Sequence, residues 1–349
     1  MLKNFCGAGF AMFLFAVALI TAPAKPPQST PTQHKHLMVV VSKGLPGITL
    51  YDADTDQEIC KATMAPAPHE AAFSRDGKTL YVPVYSTANV GQPGPDEHML
   101  HFIRTTDCQI VASLDTGDYK RPHFPEEGPS GMLYITAELM KSILVIDPKE
   151  RKIVGTIPTE SNTTHFFAMT KDEKKMFTSN VSAGTVSVLD IPGRKMITTV
   201  STGGGNQRMT VSPDDKWFVT SVGNTRKMAF FRTSDYQLDF DVELEGAPFV
   251  ARFSHDGKAV YNMGNAPRGA TPAGIRVWKV DVATKKVVAT SSDMLGTGTG
   301  GIQVSPFNGR VYISGYSGQV SVLDPDTLKV VKQFTAPATP DGLFFGSVQ

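Results

Sequence analysis

The chain has 349 residues and a formal net charge of +1, from 34 Lys and Arg against 33 Asp and Glu. This balance argues against a protein that binds nucleic acid or a membrane surface, because such proteins carry an excess or a stripe of basic residues. Hydrophobic residues make up 41% of the chain, which is too much for an intrinsically disordered protein. Gly (31) and Pro (24) are abundant but follow no collagen period, so the composition indicates a globular protein rich in turns.

The N-terminus has the pattern of a secretory signal peptide. Lys3 is followed by an uninterrupted apolar run over 10–20 and by small residues at 22–24. The run is shorter than the roughly 20 apolar residues that a membrane span needs, although an uncleaved anchor is the alternative. We therefore predict a signal peptide over 1–24, a disordered linker over 25–36, and a mature protein that is periplasmic or secreted.

One sequence unit recurs along the rest of the chain. A turn of Asp-Gly type followed by an apolar run stands at 73–82, 211–220 and 253–262, and weaker copies stand between them. Each copy is followed by an alternating strand that ends in Asp or Arg, as at 186–190 and 320–324. Seven such ends recur at steps of 42 to 52 residues, which is the length of a four-stranded β-propeller blade.

The repeat predicts a single all-β domain over 37–349, a seven-bladed β-propeller with four antiparallel strands per blade. We label the strands a to d from the centre of the ring outward. Blade 1 lacks a strand a of its own, because Leu37 already opens its strand b. The C-terminal segment 341–347 is expected to supply that strand and so to close the ring, which removes a free sheet edge.

Three segments carry a resemblance to a known family. The segments SPDDKWFVTS (212–221), GTVSVLD (184–190) and TLKVV (327–331) resemble the YVTN-type repeat of exported seven-bladed β-propellers. The resemblance covers essentially the whole mature chain. It implies the fold more specifically than the function, because such propellers include surface proteins, binding scaffolds, lactonases, lyases and redox subunits.

The two cysteines of the repeat region fall in neighbouring blades. Export would allow Cys60 and Cys108 to form a disulfide. Both are expected on outer strands, which diverge, so that their Cα atoms would exceed the limit of about 7 Å for a bridge. Two buried free thiols are therefore the expected state, and the disulfide is the alternative.

Histidine and glutamine residues open strand a in four consecutive blades. Counting back twelve residues from the aromatic of strand b, or its equivalent, gives His69, His165 and Gln207 in blades 2, 4 and 5. In blade 3, which has a shortened turn, His123 lies one place further on and comes into register when Gly131 is aligned with Gly77. Strand a lines the central channel, so these side chains are expected to converge at one mouth. Neutral imidazoles and an amide suit Mn, Fe, Zn or Cu and also acid–base chemistry near neutral pH. The alternative is that each histidine caps a turn or bonds to a neighbouring blade.

Three long connections are predicted around the same mouth. They are the b–c loops 84–99 of blade 2 and 265–274 of blade 6, and the connection 115–129 between blades 2 and 3. Such insertions suggest the walls of a pocket, although propeller loops also lengthen without function. The candidate ligand-binding residues that they add are His98, His101 and Arg268.

Charged residues beside the histidine positions add possible chemistry. Glu70 follows His69 directly and could act as a base or support a neighbouring ligand. Arg208 or Arg252 could bind the carboxylate of a substrate. Each arginine is equally well explained as part of an ion pair between blades.

Two hypotheses for the function follow. The first is an exported, monomeric propeller that binds a small molecule, a glycan or a protein at the histidine-lined mouth, with no nucleic-acid partner and no membrane span after cleavage. The second is an enzyme, because three histidines and a glutamine on inner strands look like the metal set of oligogalacturonate-lyase-type propellers. That resemblance, which is one of residue types and placement, implies a divalent transition metal and a lyase or lactone hydrolase for an acidic sugar-type substrate. Its ligands would be His69, His123, His165 and Gln207.

Overall fold

Seven four-stranded antiparallel sheets make up the part of the chain that the computed structural model describes. The described residues are 34–86 and 88–349, without the side chains of Asn206 and Gln207. The predicted signal peptide 1–24 lies outside the described residues, as does the predicted linker up to residue 33.

The first four blades account for the strands up to residue 201. Blade 1 contains β1 (His36–Ser42), β2 (Gly47–Asp52) and β3 (Gln57–Thr63). Blade 2 contains β4 (Ala72–Phe73), β5 (Thr79–Val84), β6 (Met99–Arg104) and β7 (Ile110–Asp115). Blade 3 contains β8 (Pro122–Glu127), β9 (Leu133–Ala137), β10 (Ser142–Asp147) and β11 (Lys152–Pro158). Blade 4 contains β12 (Thr164–Met169), β13 (Lys175–Asn180), β14 (Thr185–Asp190) and β15 (Lys195–Ser201).

The last three blades and the closing strand follow. Blade 5 contains β16 (Asn206–Val211), β17 (Trp217–Val222), β18 (Lys227–Arg232) and β19 (Leu238–Glu243). Blade 6 contains β20 (Ala247–Phe253), β21 (Ala259–Asn265), β22 (Ile275–Asp281) and β23 (Lys286–Thr290). Blade 7 contains β24 (Thr299–Val304), β25 (Val311–Gly315), β26 (Gln319–Leu323) and β27 (Val330–Thr335). The final strand is β28 (Pro340–Ser347).

The ring closes as predicted, with a strand from each end of the domain in blade 1. β28 pairs antiparallel with β1, so that Met38 lies opposite Phe345 and Val40 opposite Leu343. The inner strands contact one another in sequence around the ring, including β28 with those of blades 2 and 7. The seven-bladed all-β fold is therefore confirmed.

Burial follows the position of each strand in its blade. Strands b and c are buried along almost their whole length because neighbouring blades cover both faces of each sheet, as in β1 and β13. Strand d alternates between exposed and partly buried residues, as β15 shows. The helices of the described residues are two single 3₁₀ turns, Glu138–Met140 and Gly223–Thr225, and none is long and apolar enough to span a bilayer.

A β-bulge recurs near the start of the inner strand, and the sequence does not reveal it. The pairing between strands a and b shifts register at this point in blades 3 to 7. A bulge re-aims side chains that would otherwise alternate between the two faces. In blade 4, His165 and the next residue, Phe166, both pack against blade 3, with ring centroids 3.9 Å from His123 and 4.3 Å from Phe124.

Two sequence predictions are wrong. Cys60 and Cys108 form a disulfide with a Cα–Cα distance of 5.7 Å, because Cys108 lies in the turn between β6 and β7 and not on a diverging outer strand. The connection between blades 2 and 3 is also shorter than 115–129, because residues 122–127 form β8 itself.

Candidate ligand site at the upper mouth

The three predicted histidines lie together at the end of the channel where the inner strands begin, which we call the upper mouth. The imidazoles of His123 and His165 stack with centroids 3.9 Å apart, and the ring of His69 meets that of His123 edge-on at 5.5 Å. We call these three residues the histidine cluster. All three are buried, with at most 7% of each residue exposed. The Tyr85 ring packs beside His69 and His123, at 4.4 and 4.8 Å.

Hydrogen bonds fix the orientation of two of these imidazoles. His165 donates from Nδ1 to Glu138 Oε2 at 3.1 Å, and the Tyr85 hydroxyl donates to the same oxygen at 2.6 Å. His123 donates from Nδ1 to the carbonyl of His165 at 3.1 Å. Both rings therefore present Nε2, the unprotonated nitrogen of a neutral imidazole, away from these partners.

The cluster is uncharged at neutral pH. Burial lowers the pKa of all three histidines below the ordinary value, strongly for His69 and His123. At His165 the carboxylate of Glu138 opposes this effect without reversing it. Burial alone would raise the pKa of Glu138, but the hydrogen bond from His165 holds it below the ordinary value. The pair is therefore a neutral imidazole oriented by a carboxylate.

A chain of charges lies beside the cluster and crosses the channel. Arg208 on β16 donates to Glu70 of blade 2 at 2.6 Å and to Asp341 of β28 at 3.3 Å. Its guanidinium also lies over the ring of Phe166, 4.4 Å from the centroid. Lys43 pairs with Asp341 at 2.7 Å between Nζ and Oδ2. Arg208 thus serves as an ion pair between blades, which the sequence left open.

The pKa values of the two carboxyls that bond to Arg208 are shifted in opposite directions. Burial raises the pKa of Glu70 to about 8, although Arg208 opposes it. Burial acts in the same sense on Asp341, but Lys43 and Arg208 together hold its pKa below the ordinary value. Asp341 in turn raises the pKa of Lys43 against the effect of burial. Lys43 is therefore a firmly charged cation at the mouth.

A second set of polar side chains surrounds the cluster at one shared position, directly after strand b in four consecutive blades. The set, from blades 7, 1, 2 and 3, is Tyr316, Lys43, Tyr85 and Glu138. Blades 4 to 6 have Val181, Gly223 and Ala266 at this position. Sequence reasoning missed the set, although the alignment that found the histidines would also have found it.

The long b–c loop of blade 2 lies beside the histidine cluster. The buried guanidinium of Arg121 holds this loop through Asp96 Oδ1 at 2.7 Å and the Gln92 carbonyl at 2.6 Å. The amide of Gly91 donates to Glu138 Oε1 at 2.9 Å, so the loop and the histidine cluster share one carboxylate.

The other predicted residues lie elsewhere or cannot be placed. Gln207 lies in β16, but its side chain is outside the described part of the chain. His98 and His101 bond to residues of the outer strand β7, at 2.7 Å to Asp115 and 2.8 Å to Ser113. The remaining two predicted residues are Arg268, which is exposed in the loop of blade 6, and Arg252, which lies deeper in the channel.

The ring arrangement bears on the predicted metal. A metal ion bound by an imidazole nitrogen lies near the plane of that ring, and the planes of His123 and His165 are almost parallel, at 18° and 3.9 Å between centroids. One ion cannot lie in both planes unless a ring turns. Within 34–86 and 88–349, no three His, Cys, Asp or Glu side chains are grouped to hold a metal.

Comparison with known proteins supports the fold. No protein-family model and no curated protein matches the chain. The periplasmic gluconolactonase of Pseudomonas aeruginosa is similar in structure, with a TM-score of 0.70, 16% identity, and coverage of 90% of this chain and 99% of that one. A Bacteroides uniformis protein proposed to be a 6-phosphogluconolactonase gives a TM-score of 0.70 at 14% identity, covering 90% and 100%.

A further similar structure is only partly covered. The chain spans 62% of the length of a hydrazine synthase chain from Kuenenia stuttgartiensis, which covers 58% of this chain at 18% identity and a TM-score of 0.52. At these identities the similarity establishes a shared fold. The protein is a seven-bladed β-propeller whose structural neighbours include lactonase-like propellers.

Proposed function

We propose that this protein is an extracytoplasmic β-propeller that binds a small acidic molecule of sugar-acid type at the upper mouth. The observation that carries the proposal is a partly exposed cation, Lys43, beside a buried cluster of neutral imidazoles. The side chain of Lys43 is 25% exposed and is anchored by Asp341. The Cys60–Cys108 disulfide and the signal-peptide pattern support export, because such bridges persist in oxidising compartments.

The polar groups at the mouth match the chemistry of such a ligand. A carboxylate can pair with the ammonium of Lys43. Neutral imidazoles and the Tyr316 hydroxyl, which lies 3.5 Å from Lys43 Nζ, offer both donors and acceptors to sugar hydroxyls. The similarity to a gluconolactonase makes gluconate the first probe to test.

Binding of D-gluconate to the full mature chain tests the proposal by calorimetry. We expect saturable binding that Lys43→Met weakens by about tenfold or more, because one charge-assisted hydrogen bond is lost. The control is Lys258→Met, at an exposed a–b turn on the opposite face, which should leave the affinity unchanged. Equal affinities of the two variants would remove Lys43 from the site.

A second candidate function, lactone hydrolysis, is favoured by the Glu138–His165 pair. Nε2 of His165 would take a proton from a water molecule whose oxygen attacks the lactone carbonyl carbon. The ring C–O bond then breaks, and the leaving oxygen takes the proton back from the imidazolium. Glu138 would hold the ring in the tautomer with Nδ1 protonated.

Hydrolysis of D-glucono-1,5-lactone, corrected for the spontaneous rate, tests this candidate. His165→Asn should lower kcat by about 100-fold or more, because the general base is lost. Glu138→Gln should lower kcat less and move the acid limb of the pH profile to lower pH, because the pKa of His165 falls without the carboxylate. His101→Asn, on the outer half of blade 2, is the control. Activity that survives His165→Asn would exclude His165 as the general base, and a wild type no faster than the spontaneous rate would exclude the candidate.

A metal at His69, His123, His165 and Gln207 stays a prediction, and with it the metal-dependent lyase. Because the rings of His123 and His165 do not share a metal position as they stand, we derive no step through a metal. Metal analysis of the purified protein, with His123→Asn as the comparison, tests the prediction directly.

A further inference from the structure

A separate cavity occupies the other half of the channel. Its volume is about 370 Å³, within the range of about 300–1,000 Å³ found for small-molecule sites, and each of the seven inner strands contributes to its wall. We call it the lower cavity. Arg208, bonded to Glu70 and Asp341 across the channel, belongs to the layer of side chains directly below the histidine cluster.

Two opposite charges face this cavity from different blades. Glu126 on β8 and Arg252 on β20 both line it. They stand at equivalent positions, three residues after His123 and after Phe249 in the blade alignment. Throughout the described residues, the carboxyl of Glu126 has no hydrogen-bond or salt-bridge partner. Both residues are only partly buried, and no ion pair joins them, although opposite charges inside a protein channel normally pair.

Arg252 is held in place but keeps one nitrogen free. Its Nε donates to Gln303 Oε1 at 3.2 Å, and its Nη1 donates to the carbonyl of Ala251 at 2.8 Å. Nη2 has no hydrogen-bond partner in the part of the chain that the structure describes. Burial and Arg208 lower the pKa of Arg252 to about 10, so the group stays a cation at neutral pH.

The rest of the wall is largely apolar. Phe124 packs against Phe167 at 5.1 Å and against Phe344 at 6.3 Å between ring centroids, and all three line the cavity. Two methionines, Met169 and Met209, complete this side. The cavity therefore offers one cation, the unpaired carboxyl of Glu126 and an aromatic surface to a single small molecule. A second carboxyl on its wall, that of Glu127, already accepts a hydrogen bond from the Tyr81 hydroxyl at 2.9 Å.

We propose that the lower cavity binds an apolar α-amino acid, with the carboxylate on Arg252, the ammonium on Glu126, and the side chain against Phe124, Phe167 and Phe344. A zwitterion supplies the counter-charge that each protein group lacks. Burial raises the pKa of Glu126 to about 7, and a bound ammonium would favour the ionised form. The inference is independent of the function proposed for the upper mouth, since the two sites share no residue.

The probes are L-phenylalanine, 3-phenylpropionate, which lacks the ammonium, and 2-phenylethylamine, which lacks the carboxylate. Calorimetry on the full mature chain should show saturable binding of L-phenylalanine, and each analogue should bind about tenfold more weakly or worse. No saturable binding of L-phenylalanine up to millimolar concentration, or equal binding of the three, would overturn the proposal.

One variant and one spectrum locate the site. Glu126→Gln should weaken the binding of L-phenylalanine by about tenfold and leave the binding of 3-phenylpropionate unchanged. Glu58→Gln, on the exposed face of β3, should change neither affinity. With methyl-labelled methionine, L-phenylalanine should shift the signals of Met169 and Met209 in the wild type. Binding that does not shift these two signals, or that Glu126→Gln does not weaken, would contradict the assignment.

Discussion

Glu70 and Asp341 share the guanidinium of Arg208, yet only one of them carries a firm negative charge at pH 7. Asp341 also receives Lys43 at 2.7 Å and the Tyr316 hydroxyl at 3.3 Å. Within the described residues, Glu70 Oε2 is buried without a hydrogen-bond partner. Arg208 therefore compensates the burial of Glu70 at Oε1 only, and burial raises the pKa of Glu70 to about 8.

This difference predicts unequal effects of two isosteric substitutions. Asp341→Asn should lower the free energy of unfolding by about 3–5 kcal/mol, because Lys43 and Arg208 lose their counter-charge. Glu70→Gln should cost less than about 1 kcal/mol at pH 7, because the protonated carboxyl that it replaces is already neutral. Urea unfolding at pH 7 measures both, and equal losses would show that Glu70 is ionised in the folded state.

At the same scale, the histidine cluster was predictable and its partners were only partly so. His69, His123 and His165 stand out because the repeat lets each blade serve as a reference for the others. Tyr85 and Glu138 carry the same kind of signal one strand later. The stacking of two imidazoles depends on a β-bulge, and bulges leave no residue type that marks them.

At the scale of single elements, the disulfide joins blade 1 to blade 2. Cys60 lies on β3, and Cys108 lies in the c–d turn of blade 2, 48 residues later. The strand assignments were predictable from the alternation of apolar residues. The position of Cys108 was not, because a shift of two residues at the end of a strand moves it from the sheet into a turn.

Removal of this bridge should destabilise the ring without opening it. The double substitution Cys60→Ser and Cys108→Ser should lower the free energy of unfolding by about 4 kcal/mol, the loop-closure value for a loop of this length. Urea unfolding with and without reductant measures the effect. Reductant should reproduce the loss in the wild type and leave the variant unchanged; a wild type that is insensitive to reductant would show that the cysteines are not bridged.

For the whole molecule, the pKa values of two classes of interior group are shifted in opposite directions. The pKa is lowered for His69, His123 and His165. The pKa is raised to about 8 for Glu70 and to about 7 for Glu126. Histidines with a lowered pKa stay neutral in the folded chain but take up protons in the unfolded chain, so stability falls as the pH drops below about 6.5. Carboxyls with a raised pKa stay protonated in the folded chain but ionise in the unfolded chain, so stability falls as the pH rises from about 4.5 to 8.

The two effects together predict a maximum of stability near neutral pH. The three histidines outnumber the two carboxyls, so stability should also fall on the acid side. Asp341 adds to this fall at lower pH because its pKa is lowered. The variant with both Glu70→Gln and Glu126→Gln should lose the decline above pH 7 and keep the acid limb. Thermal unfolding across pH 5 to 9 measures both chains, and an unchanged alkaline limb in the variant would contradict the account.

The most direct measurement of the central claim, that the histidine cluster forms a ligand site, is the imidazole NMR spectrum of the full mature chain during a titration with D-gluconate. We predict that the signals of His69, His123 and His165 report neutral rings at pH 7 and that His69 and His165 shift together and saturate. The partly exposed ring of His98 should not follow them. Cluster signals that stay fixed while gluconate binds, or that report protonated rings at pH 7, would contradict the claim.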